Sequence, residues 1–247
     1  MPAIEIIPLA EVGEVAPGDD LAALLSLALT AQGLCIGRGD TLVVTQKIVS
    51  KAEGRFVALD TVVPGPEALR LAEVTRKDPR LVELVLSEST AVLRAVPNVL
   101  IVRHRLGLVM ANAGIDRSNI GPGTAERALL LPVDPDASAE RLRKALGCAV
   151  VISDSFGRPW RMGVVAVGIG ASGLPALHDR RGERDRDGRV LEVTQVAVAD
   201  LLASAAALAT GEGAEGIPAV VVRGFAPAGV PCPAATLTRP LEEDLFQ

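Results

Sequence analysis

The amino-acid sequence predicts an α+β fold in which helices pack on mixed, largely antiparallel sheets. Short runs of Val, Ile and Leu bounded by Gly or Asp indicate buried strands, and longer segments with an apolar period of about 3.6 residues indicate helices. The two kinds of element do not alternate one for one. Two predicted strands meet at residues 104–105 and two more flank the turn in "ISDSFGRPWRMG", which indicates hairpins rather than a regular βαβ repeat.

Each predicted element rests on its own pattern. The predicted strands are residues 41–49, 99–103, 106–112, 148–153, 163–170 and 218–224. The predicted helices are residues 19–33, 65–77, 78–89, 138–147 and 192–211. Asp19 or Asp20 is a suitable N-cap for the first helix, Gly33 is a suitable stop, and Pro66 suits the first turn of the second helix.

Composition places the chain among globular proteins. With 247 residues, 49% of them hydrophobic, it is long enough to bury a core as one large domain or two small ones. The net charge of −5 gives no reason to expect binding to nucleic acid or to an anionic membrane. No run of about 18 apolar residues occurs, so no membrane span is expected.

The cysteines and the N-terminus indicate a cytoplasmic protein. Cys35, Cys148 and Cys232 are odd in number and far apart, which does not suit a disulfide framework or a structural zinc site. The N-terminal segment lacks the basic start and the apolar stretch of a signal peptide.

Common nucleotide and hydrolase motifs are absent or incomplete. The chain has no GxxxxGK[ST] sequence. A GxGxxG match, "GIGASG" at residues 168–173, follows a predicted strand, but Pro175 and a charged loop come where a dinucleotide-binding helix would run. We expect instead a glycine-rich strand end close to a ligand or to another backbone. His104 and His178 lie in turn-like and loop-like contexts, so neither is expected to be a general base.

Three acidic sites follow apolar runs and have small or glycine neighbours. Asp116 lies in "ANAGIDRSNIG", Asp154 precedes Ser155 in "ISDSFGR", and Glu212 lies in "TGEGAEGIP". Their carboxylates and the serine hydroxyl are the oxygen ligands that Mg²⁺ or Mn²⁺ binds. Taken singly, each acid also fits a structural role, as an Asx turn, a helix C-cap followed by a loop, or a cap on a neighbouring helix.

Two lysines and an asparagine add groups that suit a phosphate. Lys47 and Lys51 are two of only four lysines in an arginine-rich chain, and compact ammonium groups suit phosphates. Asn119 lies three residues after Asp116 and could donate to a phosphate or a nucleobase. Together with the three acidic sites, these residues predict an enzyme that handles a nucleotide with a divalent cation.

The stretch "ISDSFGRPWRMG" poses a geometric question, because neighbouring residues of a strand point to opposite faces. We expect the strand to end before Asp154, and a turn to direct Asp154 and Ser155 toward one cleft. The glycine and the proline of the stretch suit this bend. Its two aromatic residues, Phe156 and Trp160, are expected to pack the turn in place.

Long segments of the chain resemble the γ-glutamyl ligase family that completes coenzyme F420, a deazaflavin redox cofactor. The similar segments follow one another in order over nearly the whole chain. They are "GDTLVVTQKIVSKAEGR", "ANAGIDRSNIG", "LLPVDPDASAERLR", "VVISDSFGRPWRMGVVAVGIGASG", "GRVLEVTQVAVAD" and "GEGAEGIPAVVVRG".

The resemblance implies an activity, cofactors and partners. Members use GTP to activate a carboxylate of the deazaflavin phospholactate precursor, and they then join L-glutamate, first to the lactyl group and later through γ-linkages. The products are GDP and phosphate. Members need Mg²⁺ or Mn²⁺, as two ions, are aided by K⁺, and act as homodimers with an unusual two-subdomain ligase fold. Residues 1–247 would then form a single catalytic unit of two interleaved subdomains, without the fused C-terminal reductase-like domain of some relatives.

Carried over position by position, the resemblance also implies roles for individual residues. Asp116 and Asp154 match ligands of one divalent ion, and Ser155 and Glu212 match ligands of a second. Asp116, Asp154 and Lys51 form the implied catalytic set. The implied nucleotide-contacting positions are Gln46, Lys47, Lys51, Asn119, Thr210, Gly211, Gly213 and Ile217, with residues 12–15 as a further contact.

Some positions depart from the family, and two other functions stay open. Family members often carry threonine where Ser155 stands and an aromatic residue near Asp187. The arginines of the loop 179–189 are candidates for binding the anionic substrate, against the alternative of a solvated charged loop. The open alternatives are a ligase for a different small carboxylate and a non-catalytic GTP-binding protein that has lost turnover.

Overall fold

A computed structural model describes residues 3–121 and 126–244, and its centre is a five-stranded sheet with helices on both faces. The strands are β1 (Glu5–Leu9), β2 (Thr41–Thr45), β3 (Phe56–Ala58), β4 (Ser89–Val96), β5 (Val99–His104), β6 (Val109–Ala111), β7 (Arg127–Leu129), β8 (Ala149–Arg158), β9 (Arg161–Ser172), β10 (Leu177–Asp179), β11 (Gln195–Ala197) and β12 (Ala219–Arg223). The α-helices are α1 (Leu21–Ala31), α2 (Gln46–Ala52), α3 (Pro66–Thr75), α4 (Pro79–Ser87), α5 (Pro135–Leu146) and α6 (Val198–Thr210).

The sheet topology confirms the predicted α+β class. The strand order of the main sheet is β1-β12-β2-β8-β9, and only the β2–β8 pair is parallel. The strands β4, β5 and β6 form a separate antiparallel sheet, which includes the hairpin predicted near residue 104. No helix in the described chain is long and apolar enough to cross a membrane. The three cysteines are free thiols, as predicted.

Both faces of the main sheet are buried, which explains its continuous apolar strands. On one face, Val150 and Ile152 pack with residues of α1, α2 and α5. On the other face, Val151 packs with residues of α6. A further core joins α3 and α4 to the three-stranded sheet through residues such as Leu71 and Leu100. The division into two interleaved subdomains stays a prediction of the family resemblance.

Several predicted elements have different bounds in the structure, and three of these differences have a clear physical reason. The predicted strand 41–49 ends at Thr45, and α2 begins at the next residue. Within α2 the side chains of Gln46 and Ser50, one helical turn apart, are hydrogen-bonded at 2.9 Å. The predicted helix 192–211 begins at Val198, because residues 195–197 pair with β10. The predicted strand 106–112 is shortened to β6, because Gly107 adopts a positive φ of 85° in the turn that precedes it.

The stretch "ISDSFGRPWRMG" forms a long hairpin, so the turn predicted before Asp154 is wrong. The strand β8 continues to Arg158 and β9 begins at Arg161, leaving a two-residue connection. Phe156 packs against the core, as expected. Trp160 does not pack the turn, because its side chain is 89% exposed. We call residues 154–167 the β8–β9 arm, since they lie beyond the last residue pair between β2 and β8.

The "GIGASG" stretch lies within β9, which excludes a dinucleotide-binding turn there. Ile152 pairs with Gly170 and the next residue pairs with Gly168, so Ile169 is the extra residue of a β-bulge. A Cβ atom on Gly168 would lie 2.7 Å from the Cβ of Ala199, and one on Gly170 would lie 2.4 Å from a backbone oxygen of α5. The predicted close contact with another backbone is therefore confirmed, and it lets α5 and α6 pack tightly on the sheet.

Candidate functional site

A cavity of about 940 Å³ lies where β2 ends and α2 begins. The parallel pairing of β2 with β8 stops at Thr45 and Ser153, so the edge of β8 is free from Asp154 onward. Asp154 and Ser155 point to opposite faces of the strand, yet both line the cavity. The cavity wraps around the free edge of β8, and no turn is needed to bring the two residues to one cleft.

On one side of this edge, two carboxylates lie close together. Asp154 is half-buried, and burial raises the pKa of its carboxyl to about 7, with a further contribution from Asp116. The backbone N–H of Ser155 and the ammonium of Lys47 oppose this rise in the pKa. The pKa of Asp116 is also raised by burial, against the effect of Lys47. This pair of acids has too little positive charge around it to ionise fully without a cation.

The first turn of α2 holds Asp116 in place. Gln46 Nε2 donates to Asp116 Oδ2 at 2.6 Å, and Lys47 Nζ lies 3.5 Å from Asp116 Oδ1. Lys47 Nζ also donates to the backbone oxygen of Ser118 at 3.1 Å. Because α2 follows β2 without a loop, these two side chains reach the carboxylates directly from the end of the sheet.

On the other side of the edge, a hydroxyl and a carboxylate form a second oxygen pair. Ser155 Oγ donates to Glu212 Oε1 at 2.5 Å. α6 ends at Thr210, and the next residue, Gly211, has a positive φ of 63° and is followed by Glu212. Asn119 Nδ2 donates to the backbone oxygen of Gly213 at 3.0 Å, so the loops that carry the two oxygen pairs are joined.

A buried lysine lies at the wall of the cavity. The side chain of Lys51 is only 7% exposed, and its Nζ lies 2.6 Å from Glu14 Oε1. Glu14 itself is 63% exposed and belongs to the segment 12–15, which the family resemblance implied as a further contact without assigning a role to this carboxylate. Val12 and Val15, which flank it, are both buried and fix the orientation of the segment.

The structure brings all of the predicted site residues to this one cavity, although their roles stay predictions. The predicted residues that line it are Gln46, Lys47, Lys51, Asp116, Asn119, Asp154, Ser155, Thr210, Gly211, Glu212, Gly213 and Ile217. Gly13, Glu14 and Val15 of the implied contact segment 12–15 line it too, and lining residues that were not predicted include Arg117 and Ser153.

The loop 179–189 does not contribute to the cavity. Arg180 and Arg181 bind acidic residues of the same loop, and Arg184 donates to a backbone oxygen within it. These contacts favour the alternative of a solvated charged loop over the suggested binding of an anionic substrate. His104 is fully buried beside Glu88 and does not line the cavity, in agreement with the expectation that it is not a general base.

The oxygen pairs fit a divalent cation only in combination with a ligand. Within residues 3–121 and 126–244, no three His, Cys, Asp or Glu side chains converge as a complete metal cluster. The acids instead occur as the Asp116–Asp154 pair and as Glu212 beside Ser155. Mg²⁺ is commonly held by one or two carboxylates together with substrate phosphates and waters. The donor set therefore suits a hard cation that arrives with a phosphate.

Comparison with known proteins agrees with this geometry. The family model described as F420-0:Gamma-glutamyl ligase matches residues 10–224. The coenzyme F420:L-glutamate ligase of Methanopyrus kandleri is 47% identical over 233 residues, covering 92% of this chain and 89% of the relative. That of Methanothermobacter thermautotrophicus is 46% identical over 245 residues, covering 94% of each. That of Natronomonas pharaonis is 50% identical over 216 residues, covering 85% and 82%. The chain belongs to the F420-0:gamma-glutamyl ligase family.

Proposed function

We propose that this protein is a GTP-dependent ligase that adds L-glutamate to the deazaflavin precursor F420-0, and further γ-linked glutamates, through an acyl phosphate. The observation that carries the proposal is the arrangement of two oxygen pairs and two lysines around one cavity of about 940 Å³. The named relatives support the acceptor and the amino acid, since they are called coenzyme F420:L-glutamate ligases. The cavity volume suits a ligand as large as a nucleoside triphosphate.

The proposed reaction has two balanced steps. A carboxylate oxygen of the acceptor attacks the γ-phosphorus of GTP, the bond to the β-phosphate oxygen breaks, and GDP leaves. The amine of L-glutamate then attacks the acyl carbon, a C–N bond forms, the C–O bond to the phosphate breaks, and the amine gives up a proton. Phosphoryl transfer depends mostly on positioning and on neutralising charge, which cationic side chains around the phosphates supply.

In this proposal, lysines of α2 position the triphosphate. Lys47 already lies beside the acidic pair, and Lys51 is held on the cavity wall by Glu14. The carboxylate of Glu14 occupies the place on Lys51 Nζ that a phosphate oxygen would take, so nucleotide binding replaces one anion by another. Asn119 and Gly213, joined by a hydrogen bond, would keep the two loops at a fixed separation around the nucleotide.

The proposed divalent ions would be held by the two oxygen pairs. Asp116 and Asp154 would bind one Mg²⁺ or Mn²⁺ ion, and Ser155 and Glu212 would bind a second. Bound there, the ions would neutralise charge on the phosphates. K⁺ as an additional activator stays a prediction of the family resemblance, and a cytoplasmic location stays a prediction from the cysteine pattern and the N-terminal sequence.

Isotope transfer tests the acyl-phosphate route. The acceptor is prepared with a heavy isotope of oxygen in its reacting carboxylate, and GTP, Mn²⁺ and L-glutamate are added. We expect one heavy oxygen in the released phosphate, because the C–O bond to the carbonyl carbon breaks in the second step. Omission of the acceptor is the matched control and should give little GDP. Phosphate without the heavy isotope, formed alongside the amide product, would exclude the route.

The two alternative functions give different results in the same assay. A ligase for another small carboxylate would release GDP only when that other acid replaces the deazaflavin. A non-catalytic GTP-binding protein would bind GTP in a cation-dependent way and release no GDP with both co-substrates present. The presence of Asp116, Asp154 and Glu212 around one cavity supports the catalytic function.

We also propose that the protein acts as a homodimer to which the β8–β9 arm contributes. The support is the exposure of apolar side chains near the arm tip, where Trp160 is 89%, Met162 97% and Val164 50% exposed. Light scattering after size exclusion should give a dimer mass for the wild type and a smaller mass for the Trp160→Ala/Met162→Glu variant. Leu208→Ala, at an 83% exposed position of α6, is the matched control. A variant that remains fully dimeric would remove the arm from the interface.

A further inference from the structure

A second cavity of about 290 Å³ lies at the outer edge of β9. Three parts of the chain enclose it besides the arm. The hairpin of β5 and β6 contributes Arg103, the first turn of α6 contributes Asp200, and the C-terminal segment contributes Thr238, Arg239 and Asp244. The charges at this cavity are mixed, and the reaction proposed above does not use them.

Two charged groups of the second cavity, Asp200 and Arg239, have hydrogen-bonding capacity left for a ligand. Arg103 and Asp244 make a long contact of 3.4 Å between Nη2 and Oδ2. Asp200 Oδ1 accepts the backbone N–H of Gly168 at 2.9 Å, and in the described part of the chain its Oδ2 has no partner. Burial raises the pKa of Asp200, which a nearby cation would oppose. Arg239 is exposed and makes no ion pair within residues 3–121 and 126–244.

This set of charges is complementary to a dicarboxylic amino acid. Such a molecule carries two carboxylates and one ammonium group. Two guanidinium groups can each bind a carboxylate with two hydrogen bonds, and a carboxylate can bind the ammonium. A cavity of about 290 Å³ suits a small polar molecule and is too small for a nucleotide or a deazaflavin.

The second cavity is also close to the reacting centre. Val167, which lines it, is the direct cross-strand partner of Asp154, which lines the nucleotide cavity. Directly opposite residues of an antiparallel pair have Cβ atoms about 5 Å apart on the same face of the sheet. Phe156, two residues along β8 from Asp154 and therefore about 7 Å away, lines the second cavity too. One extended amino acid spans a similar distance.

We propose that the second cavity is the binding site for the amino-acid substrate, L-glutamate. Arg103 and Arg239 bind its carboxylates, and Asp200 binds its ammonium group before the amine is released toward the arm. This inference rests on the proposed ligase function for the identity of the amino acid. It adds a site for the amino acid that is separate from the nucleotide cavity and that shares with it only the β8–β9 arm.

Steady-state kinetics with Arg239 variants test the inference. We expect Arg239→Ala to raise the KM for L-glutamate about 10- to 100-fold while the KM for GTP changes less than about twofold. Arg239→Lys should recover part of the loss, because it keeps the charge but not the two-pronged contact. Arg186→Ala, at an exposed position of the loop 179–189, is the matched control and should change neither constant. An unchanged KM for L-glutamate in Arg239→Ala would overturn the assignment.

Direct binding separates this inference from the proposed function. L-glutamate is titrated into the wild type and into Arg239→Ala without GTP, and the bound fraction is followed by calorimetry. Binding to the wild type that is weakened at least about tenfold in Arg239→Ala supports the site even if no ligation occurs. Equal affinity for both proteins overturns it even if the wild type is an active ligase. Loss of ligation alone would then count against the proposed function and not against the site.

Discussion

Replacement of Asp154 by Asn is expected to lower kcat for ligation by at least about 1000-fold. Asp154 lies at the free edge of β8, where it lines the cavity of about 940 Å³ on one side and is paired across the strands with Val167 on the other. The amide keeps the size of the side chain but supplies no negative charge for a cation. We therefore expect kcat to fall, and the fold, measured by circular dichroism, to be unchanged.

The same variant should be more stable than the wild type when no metal is present. The folded-state pKa of Asp154 is raised to about 7 by burial and by Asp116, above the usual value of about 4. Because the pKa is raised, the folded state binds this proton more tightly than the unfolded state does. The resulting stabilisation of the folded state is fully present below about pH 4 and is lost as the pH rises through 7. At pH 8 the folded wild type must bury the charge, and the amide variant avoids this at a gain of roughly 1 to 3 kcal/mol.

Urea denaturation in the presence of a chelator measures this gain. The free energy of unfolding of Asp154→Asn should exceed that of the wild type at pH 8 and match it more closely at pH 5. Asp187→Asn, at an exposed position outside the cavity, is the control and should alter neither activity nor stability. An Asp154→Asn variant with wild-type kcat would show that Asp154 does not bind the catalytic cation.

The second large effect is expected at Glu88, which lines neither cavity. Arg55 Nη2 donates to both carboxylate oxygens of Glu88, at 3.0 and 3.1 Å, and Arg105 Nε donates to Oε2 at 3.0 Å. His104 Nδ1 accepts the N–H of Leu106, so in neutral His104 the proton is on Nε2, which lies 3.4 Å from Glu88 Oε2. The side chain of Glu88 is only 12% exposed. Its removal leaves the guanidinium groups of Arg55 and Arg105, which are 20% and 33% exposed, without their carboxylate partner.

We expect Glu88→Ala to lower the free energy of unfolding by about 3 to 5 kcal/mol. Glu67→Ala is the matched control, because Glu67 also pairs with an arginine but is 56% exposed, and its loss should cost less than about 1 kcal/mol. Chemical denaturation of both variants at neutral pH measures the difference. Equal and small losses would show that Glu88 and its arginines act as an ordinary surface ion pair.

The same network predicts a dependence of stability on acid. The pKa of Glu88 is lowered to about 2 by His104 and by Arg55 and Arg105, against the opposing effect of burial. A lowered pKa gives stability that is present above the unfolded-state pKa of about 4 and is lost as the pH falls through 2. As the pH falls from about 4 to 2, the free energy of unfolding of the wild type should decrease. That of Glu88→Ala should decrease less over the same range.

Much of the fold and of the candidate site could be predicted because local patterns determine them. Val/Ile-rich runs fix the strands of a sheet that is buried on both faces, and the short connection near residue 104 predicts its hairpin. Asp116, Asp154 and Glu212 could be found because each follows an apolar run beside small residues. That they meet at one cavity follows from strand order, which the sequence pattern alone does not give.

The errors arose where tertiary contacts outweigh local pattern. The apolar pattern of residues 46–49 is compatible with either a strand or a helix. In the structure these residues are helical, and Gln46 is hydrogen-bonded to Asp116, 70 residues away. The turn expected before Asp154 was wrong because the free edge of β8, created where β2 ends, already exposes both strand faces to one cavity. The pairing of Glu14 with Lys51 was not predicted, because the two residues are 37 positions apart.

The mass of the deazaflavin product shows directly whether this protein joins L-glutamate to F420-0. Purified protein is incubated with GTP, Mn²⁺, L-glutamate and the glutamate-free deazaflavin, and the deazaflavin is examined by mass spectrometry. We expect products that are heavier by whole glutamyl units, with one GDP released for each unit added. A deazaflavin of unchanged mass, recovered after incubation with protein that binds GTP and the divalent cation, would contradict it.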